Sequence, residues 1–521
     1  MQSTEQVGPS APTGFYRTTD LEYLTADGSY RAAATTTVTV FEAGDGGAEP
    51  IQHVVPFEGV GDVGWLPGTD DLVFTAPDQT RLSDGGAVRD VYRFTTNDGS
   101  SVRLSSGRAN LFGAVAAMDG ASVLSLGVEV SDAGHSLGYA SIGVWRTPLS
   151  GTGPVRLTPE ELSVSYSSQT FVETEAAVFF AYDDDGDVVL GSVALEGGPA
   201  TAHHVAPERS QVNVFATSAD GCVITAAVTT ADSAGDVLIH ADDWTSWTTD
   251  FGGALVDRLG PLPYMSIAAE DEDGFEVRGW LVEPAGSGPH PLVVLIKGGP
   301  YTQFGYAMSG HASFEEARYL RDAGFAVAMC NPRGSSGRGQ RFAESLGTAV
   351  AENTERSILA FIEACTRASP IDRGRLALFG GSFGGYMVAW LMSRGLGFAA
   401  GIAERGCYDL VLHRAASPGG TNLVSALWGT DDEDLVRQSP ITHAESFDGS
   451  LMILHSDRDG HAPFVDAQAY QYALARRGKD VELCIAVNGD HELSRSGPVE
   501  QRLARVEMVT RWLSERIGRV S

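Results

Sequence analysis

Lysine is almost missing from this chain: Lys297 and Lys479 are its only two, against 34 arginines. Bases of both kinds number 36 and acids 67, which leaves a net charge of −31 over 521 residues. A field of that sign repels nucleic acid and anionic membranes, and it favours neutral or cationic ligands. Solubility is the plainer reading of the same charge. The excess is uneven, since residues 1–250 hold 34 acids against ten arginines. Cysteine is scarce as well. Cys222, Cys330, Cys365, Cys407 and Cys484 are scattered and odd in number, which fits reduced thiols in a cytoplasm better than a disulfide framework or a zinc site. No apolar run approaches the length of a membrane span. The opening Met1–Gln6 has no basic stretch followed by an apolar one, so no secretory leader is expected.

Glycine, by contrast, is plentiful, with 62 residues, and it punctuates two halves of different grammar. At this length two large domains are expected. From about Phe15 to Gly260 the chain is short β-like runs between Gly/Asp turns. One unit runs through Leu72–Thr75 and Val91–Phe94 to Val102–Ser105. The next runs through Ser122–Leu126 and Val144–Leu149 to Val155–Thr158. A third includes Ala177–Ala181 and Val188–Leu190, and a fourth Cys222–Ala226 and Val237–His240. A period near 45 residues is the mark of propeller blades, with an all-β sandwich as the alternative. Counting an irregular first unit around 16–58, the spacing predicts about five blades or more.

After Gly260 apolar strands alternate with helical runs, the grammar of an α/β-hydrolase with a parallel sheet. Strands are predicted at Leu292–Ile296, Phe325–Cys330, Leu376–Phe379, Ala399–Ala403, Leu451–Leu454 and Val481–Ile485, and helices over 353–366, 385–394, 464–476 and 499–516. The fold class is therefore an α/β-hydrolase C-terminal domain (261–521) preceded by an all-β N-terminal β-propeller (1–260).

Between the strand Leu376–Phe379 and the next helix stands Gly380-Gly381-Ser382-Phe383-Gly384-Gly385-Tyr386. A Gly-x-Ser-x-Gly turn in that position lifts a serine hydroxyl onto the end of a parallel sheet. In so glycine-rich a chain the pattern arises by chance roughly 0.5 times, so its context carries the argument. A serine nucleophile needs a base, and the base an orienting acid, each on a loop after a strand. Leu451–Leu454 leads into Asp457 and Asp459, and the strand through Ile485 leads into His491. Ser382, Asp459 and His491 stand in the required order, with Asp457 as the rival acid. The oxyanion needs two backbone donors: Phe383, after the nucleophile, and Gly299, in Lys297-Gly298-Gly299-Pro300. The chemistry calls for no cofactor and no metal.

These pieces resemble the prolyl oligopeptidase family, nearest its acylaminoacyl-peptidase and dipeptidyl-peptidase-like branch. The resemblance rests on Gly298-Gly299-Pro300, Asn331-Pro332-Arg333-Gly334-Ser335-Ser336-Gly337, the serine turn, Ser439-Pro440, His455 to Pro463, and His491 to Gly497. It implies Ser382 as nucleophile, Asp459 as orienter, His491 as base, and Gly299 and Phe383 as oxyanion donors. It also implies a propeller that restricts access to short peptides or small acylated compounds, and a homo-oligomer. Three features depart from the family. Lys297 replaces the usual His or Tyr before the Gly-Gly, and His461 stands where the family usually has an Arg that holds a peptide carbonyl. The N-terminal half is also short, and it shows no paired-glutamate motif for a free amino terminus. Lys297, Tyr386 and His461 are the candidate substrate-binding residues. The expected function is cleavage of short peptides or N-acyl amino-acid compounds through an acyl-enzyme. The alternatives are a specialised ester or amide hydrolase or acyltransferase, and a non-catalytic scaffold, against which the complete triad argues.

Overall fold

The structure, a computed structural model, describes residues 36–40, 51–55, 57, 60–77, 88–105, 108–130, 140–165, 168, 171–241, 244–308, 314–418 and 420–518. The expected reading of Met1–Gln6, and most of the first unit over 16–58, lie outside these residues.

The N-terminal half is built of antiparallel meanders. The first comprises Gly61–Trp65, Asp71–Pro77, Arg89–Thr95 and Ser101–Arg103. The second comprises Ala109–Ala116, Ser122–Glu129, Gly143–Pro148 and Val155–Arg156. The third holds Phe171–Glu173, Ala177–Asp184, Asp187–Ala194 and Thr201–His203. The fourth holds Gln211–Thr217, Val223–Thr230, Ser233–Ala241 and Trp244–Trp247. A two-stranded ladder, Thr36–Val40 with Ile51–Val55, precedes them. The third and fourth units are joined by one parallel pairing, Val188 with Gln211. Four-stranded units of this kind agree with a propeller-type fold. Tight turns close their hairpins, and apolar residues between the sheets form separate small cores: Phe180, Val178 and Leu126 in one, Phe215, Leu190 and Leu238 in the next.

The C-terminal half is one eight-stranded sheet, β1 (Met265–Glu270), β2 (Glu276–Val282), β3 (His290–Ile296), β4 (Ala326–Asn331), β5 (Ile371–Gly381), β6 (Ala400–Glu404), β7 (Ser450–Ser456) and β8 (Asp480–Ala486). The spatial order is β1-β2-β4-β3-β5-β6-β7-β8. β1, β2 and β4 pair antiparallel, and every other pairing is parallel. The strands read as continuous apolar runs because both faces are covered. Leu292, Val294 and Ile296 enter the core on one face, while Val293 and Leu295 enter the other. The first face is covered by the helices Val350–Ala368 and Phe383–Met392, the second by Glu315–Asp322 and Val499–Ile517. In Val350–Ala368 the buried positions 350, 351, 354, 357, 358, 361, 362 and 365 recur at helical spacing, which fixes the face it presents. Sequence pattern missed β1 and β2, whose alternating polar residues look like the turns of the first half. It also missed Leu410–Ala416, Gly420–Trp428 and Asp432–Gln438, which are too short for a periodic signal.

The two halves meet at the loops that follow β3 and β4. The turn between Ala177–Asp184 and Asp187–Ala194 sits between segments 301–306 and 335–338. Gly186 N–H donates to Gln303 Oε1 (2.8 Å), Gln303 Nε2 donates to Asp187 O (2.9 Å), and Asp185 N–H donates to Gly337 O (2.9 Å). The Ser336 hydroxyl donates to the buried Asp183 carboxyl.

Candidate active site

Ser382 stands at the turn from β5 into the helix Phe383–Met392, with φ 60° and ψ −121°, a conformation that side chains rarely adopt. Its backbone N–H donates to Glu404 O at the end of β6 (2.9 Å). The surrounding glycines are required by close approach. A Cβ on Gly384 would lie 2.0 Å from Ile296 O, and one on Gly385 would lie 2.6 Å from Glu404 O. The helix therefore begins two residues earlier than its apolar pattern predicts, and its first free N–H, that of Phe383, lies beside Ser382.

The loops after β7 and β8 bring the other two residues to the serine. His491 Nδ1 lies 2.8 Å from Asp459 Oδ2, and Nε2 lies 3.1 Å from Ser382 Oγ. A carboxylate only accepts, so Nδ1 carries the proton and Nε2 is left to accept from the hydroxyl. Asp459 is fully buried; its other oxygen accepts the Ala462 N–H (2.8 Å). The rival Asp457 has a different task, accepting the Asn488 N–H (2.7 Å) to clip the two loops together. Burial, and then the positive charge of Arg405, hold His491 below the ordinary histidine range. His461 packs edge-on against the His491 ring at 4.6 Å and is likewise pushed down by burial.

Gly299 takes φ +48°, and Thr302 Oγ1 donates to both Gly298 O (2.9 Å) and Gly299 O (3.0 Å). Lys297 proves to be part of this loop's scaffold. Its Nζ is buried and donates to Pro300 O (2.8 Å) and Gly299 O (3.4 Å), and desolvation lowers it to about 7. Tyr386 requires a correction as a substrate-binding candidate. It points into the core, fully buried, where its hydroxyl donates to Gln438 O (3.0 Å) and accepts from Trp428 Nε1 (3.2 Å). Its partners lie on the helices Gly420–Trp428 and Asp432–Gln438, and its motif position gave no hint of that direction.

A cavity of about 90 Å³ opens beside Ser382. Pro300, Phe383, Cys407, Leu423, Leu427 and Trp428 form its apolar wall, with Arg405, His413 and His461 as the polar members. Behind the serine turn a second cavity, of about 70 Å³, is lined by Lys297, Gly381, Glu404, Arg405, Arg495 and Arg505. Sequence reasoning missed Arg405, His413 and the Leu423–Trp428 wall, because no motif surrounds them.

Residues 311–519 match the profile of the prolyl oligopeptidase family (Peptidase_S9). Over these residues the chain is similar to the prolyl oligopeptidase family. It is 29% identical to the uncharacterized peptidase YuxL of Bacillus subtilis (strain 168) over 345 residues, 64% of this chain and 51% of that one. It is 27% identical to the acylamino-acid-releasing enzyme of Sus scrofa over 267 residues, 47% and 34% of the two chains. The chain thus spans about half the length of the first relative and a third of the second. In fold it is similar to the uncomplexed acylaminoacyl peptidase of Pyrococcus horikoshii, with a TM-score of 0.83 at 20% identity over 98% of this chain and 79% of that one. That likeness in fold runs through both halves, the α/β-hydrolase sheet and the propeller-type meanders.

Proposed function

We propose that this chain is a serine hydrolase of the prolyl oligopeptidase type, cleaving short peptides or N-acyl amino-acid compounds through an acyl-enzyme. The observation that carries the reading is the unbroken hydrogen-bond chain from Ser382 Oγ through His491 to the buried Asp459. His491 Nε2 takes the hydroxyl proton as Oγ attacks the scissile carbonyl, and the buried carboxylate stabilises the imidazolium that forms. The Phe383 and Gly299 N–H groups receive the oxyanion, with Lys297 and Thr302 holding the Gly299 side of the site through its carbonyls. The imidazolium then protonates the leaving amine, and water attacks the ester by the reverse route. The apolar cavity beside Ser382 receives the acyl-side residue. The proposal includes a division at 260/261 and an N-terminal β-propeller of about five blades or more. It is supported by the last meander strand ending at Trp247 and the hydrolase sheet beginning at Met265. A cytoplasmic location and self-association belong to the same reading.

A mass-spectrometric cleavage assay on a panel of N-blocked peptides, free-amino peptides and small acyl esters tests it. Ser382→Ala is expected to lower the rate at least about 10³-fold with the fold retained, as in triad knockouts generally. Near-normal turnover in that variant removes the assignment. Turnover confined to esters selects a specialised acyl hydrolase, the reading favoured by a neutral His461 in place of a cationic peptide anchor.

A further inference from the structure

One buried cation at the site stands outside the hydrogen-bond chain of Ser382, His491 and Asp459, although its charge bears on His491. Arg405 follows β6, is 8% exposed, and takes φ +44°, a conformation that L side chains rarely adopt. Its backbone is held by the bond from its N–H to Leu454 O (2.8 Å). Its guanidinium is not held in the same way: Nε and Nη1 are buried with no hydrogen-bond partner among the described residues.

The carboxylates around it are already engaged. Glu404 accepts two bonds from Arg505, at 2.7 and 2.8 Å. Glu492 is gripped by both ends of Arg495. Asp459 is taken by His491 and the Ala462 N–H. Glu404 and Glu492 still act on Arg405 through their charge, but a buried N–H group without an acceptor is costly. Arg405 lines the cavity beside Ser382 as well as the one behind the serine turn, and a guanidinium N–H donates a charge-assisted hydrogen bond to a carboxylate oxygen.

We propose that Arg405 receives a carboxylate of the substrate, so that the cavity takes an acyl-side residue with an apolar stem and an acidic end, glutamate- or aspartate-like. Leu423, Leu427 and Trp428 contact the stem, and Arg405 supplies the cavity's positive group. The assignment of the cavity to the acyl side rests on Ser382 being the nucleophile.

Calorimetry on full-length Ser382→Ala tests binding apart from turnover. The probes are N-acetyl-glutamate α-amide and N-acetyl-glutamine α-amide, which differ in one group. The glutamate compound is expected to bind at least about 10-fold tighter, the scale of a charge-assisted hydrogen bond set against a neutral one. Adding Arg405→Met should erase that difference while leaving glutamine binding within a few-fold. Equal affinity, or no binding of either probe, overturns the proposal, and this comparison stands even if the Arg405 variant does not fold. On the wild-type enzyme, N-acetyl-glutamyl p-nitroanilide should exceed its glutaminyl counterpart about 10-fold in kcat/KM. Hydrolysis of both at equal rates overturns the carboxylate site and leaves Ser382 as nucleophile. Selective binding without any hydrolysis does the reverse.

Discussion

In the proposed mechanism His491 has to be neutral to accept the serine proton, and its surroundings favour that form. Burial and the nearby Arg405 charge both act against protonation, and a base held below the ordinary value of about 6.5 stays competent as the solution turns acid. The acid-side midpoint of kcat/KM is therefore expected below pH 6.5, and it should move upward in Arg405→Met. A midpoint at or above 7 in the wild type contradicts this. The same residues set a limit through stability. His413, brought down to about 3, and His455 and His461, also lowered, stay neutral in the fold while the unfolded chain protonates near 6.5. The folded state then binds fewer protons, so their contribution is intact above that pH and erodes below it. Circular dichroism across the same range separates the two effects.

The serine turn and the 183–187 turn are the elements on which the site depends. At the serine turn the glycines are fixed by backbone contacts that no side chain can relieve. The 183–187 turn bears on the Gly299 loop through Gln303, whose amide bonds the backbone of Gly186 and of Asp187. Gln303→Ala leaves both of those groups unpaired, at a cost of about 1–3 kcal/mol each if no water replaces the amide. A lower Tm is expected, read by calorimetry, with loss of kcat exceeding any change in KM because the loop carrying Gly299 loosens. An unchanged Tm would show that the turn is not held by this residue. These elements were unequally legible in sequence. The parallel strands announce themselves because burial on both faces demands unbroken apolar runs. The contact between Gln303 and Gly186 pairs residues 117 positions apart, and no local pattern encodes it.

Across the whole molecule, one buried cation works against a net charge of −31. An acidic substrate approaching this enzyme meets a repulsive field that salt screens over about 10 Å at 0.1 M. For N-acetyl-glutamyl p-nitroanilide, kcat/KM is expected to rise severalfold between 20 and 300 mM salt (about one decade of ionic strength), whereas for a neutral substrate it stays level. The rise should appear in the association rate, since local recognition at Arg405 is shielded from solvent. A fall with salt would mean that local attraction outweighs the field of the whole.

The amino-acid sequence alone determined the order of Ser382, Asp459 and His491 and the loop each occupies, because strand-end chemistry leaves local signatures in glycines and apolar runs. It also determined the alternation that makes the second half a parallel sheet. Tertiary structure decided what each neighbouring side chain faces. Tyr386 turned into the core, and Lys297 turned back on its own loop. Arg405 came to lie beside Ser382 with its neighbouring acids already paired. Direction and pairing depend on contacts between distant segments, and a sequence read along its length does not contain those distances.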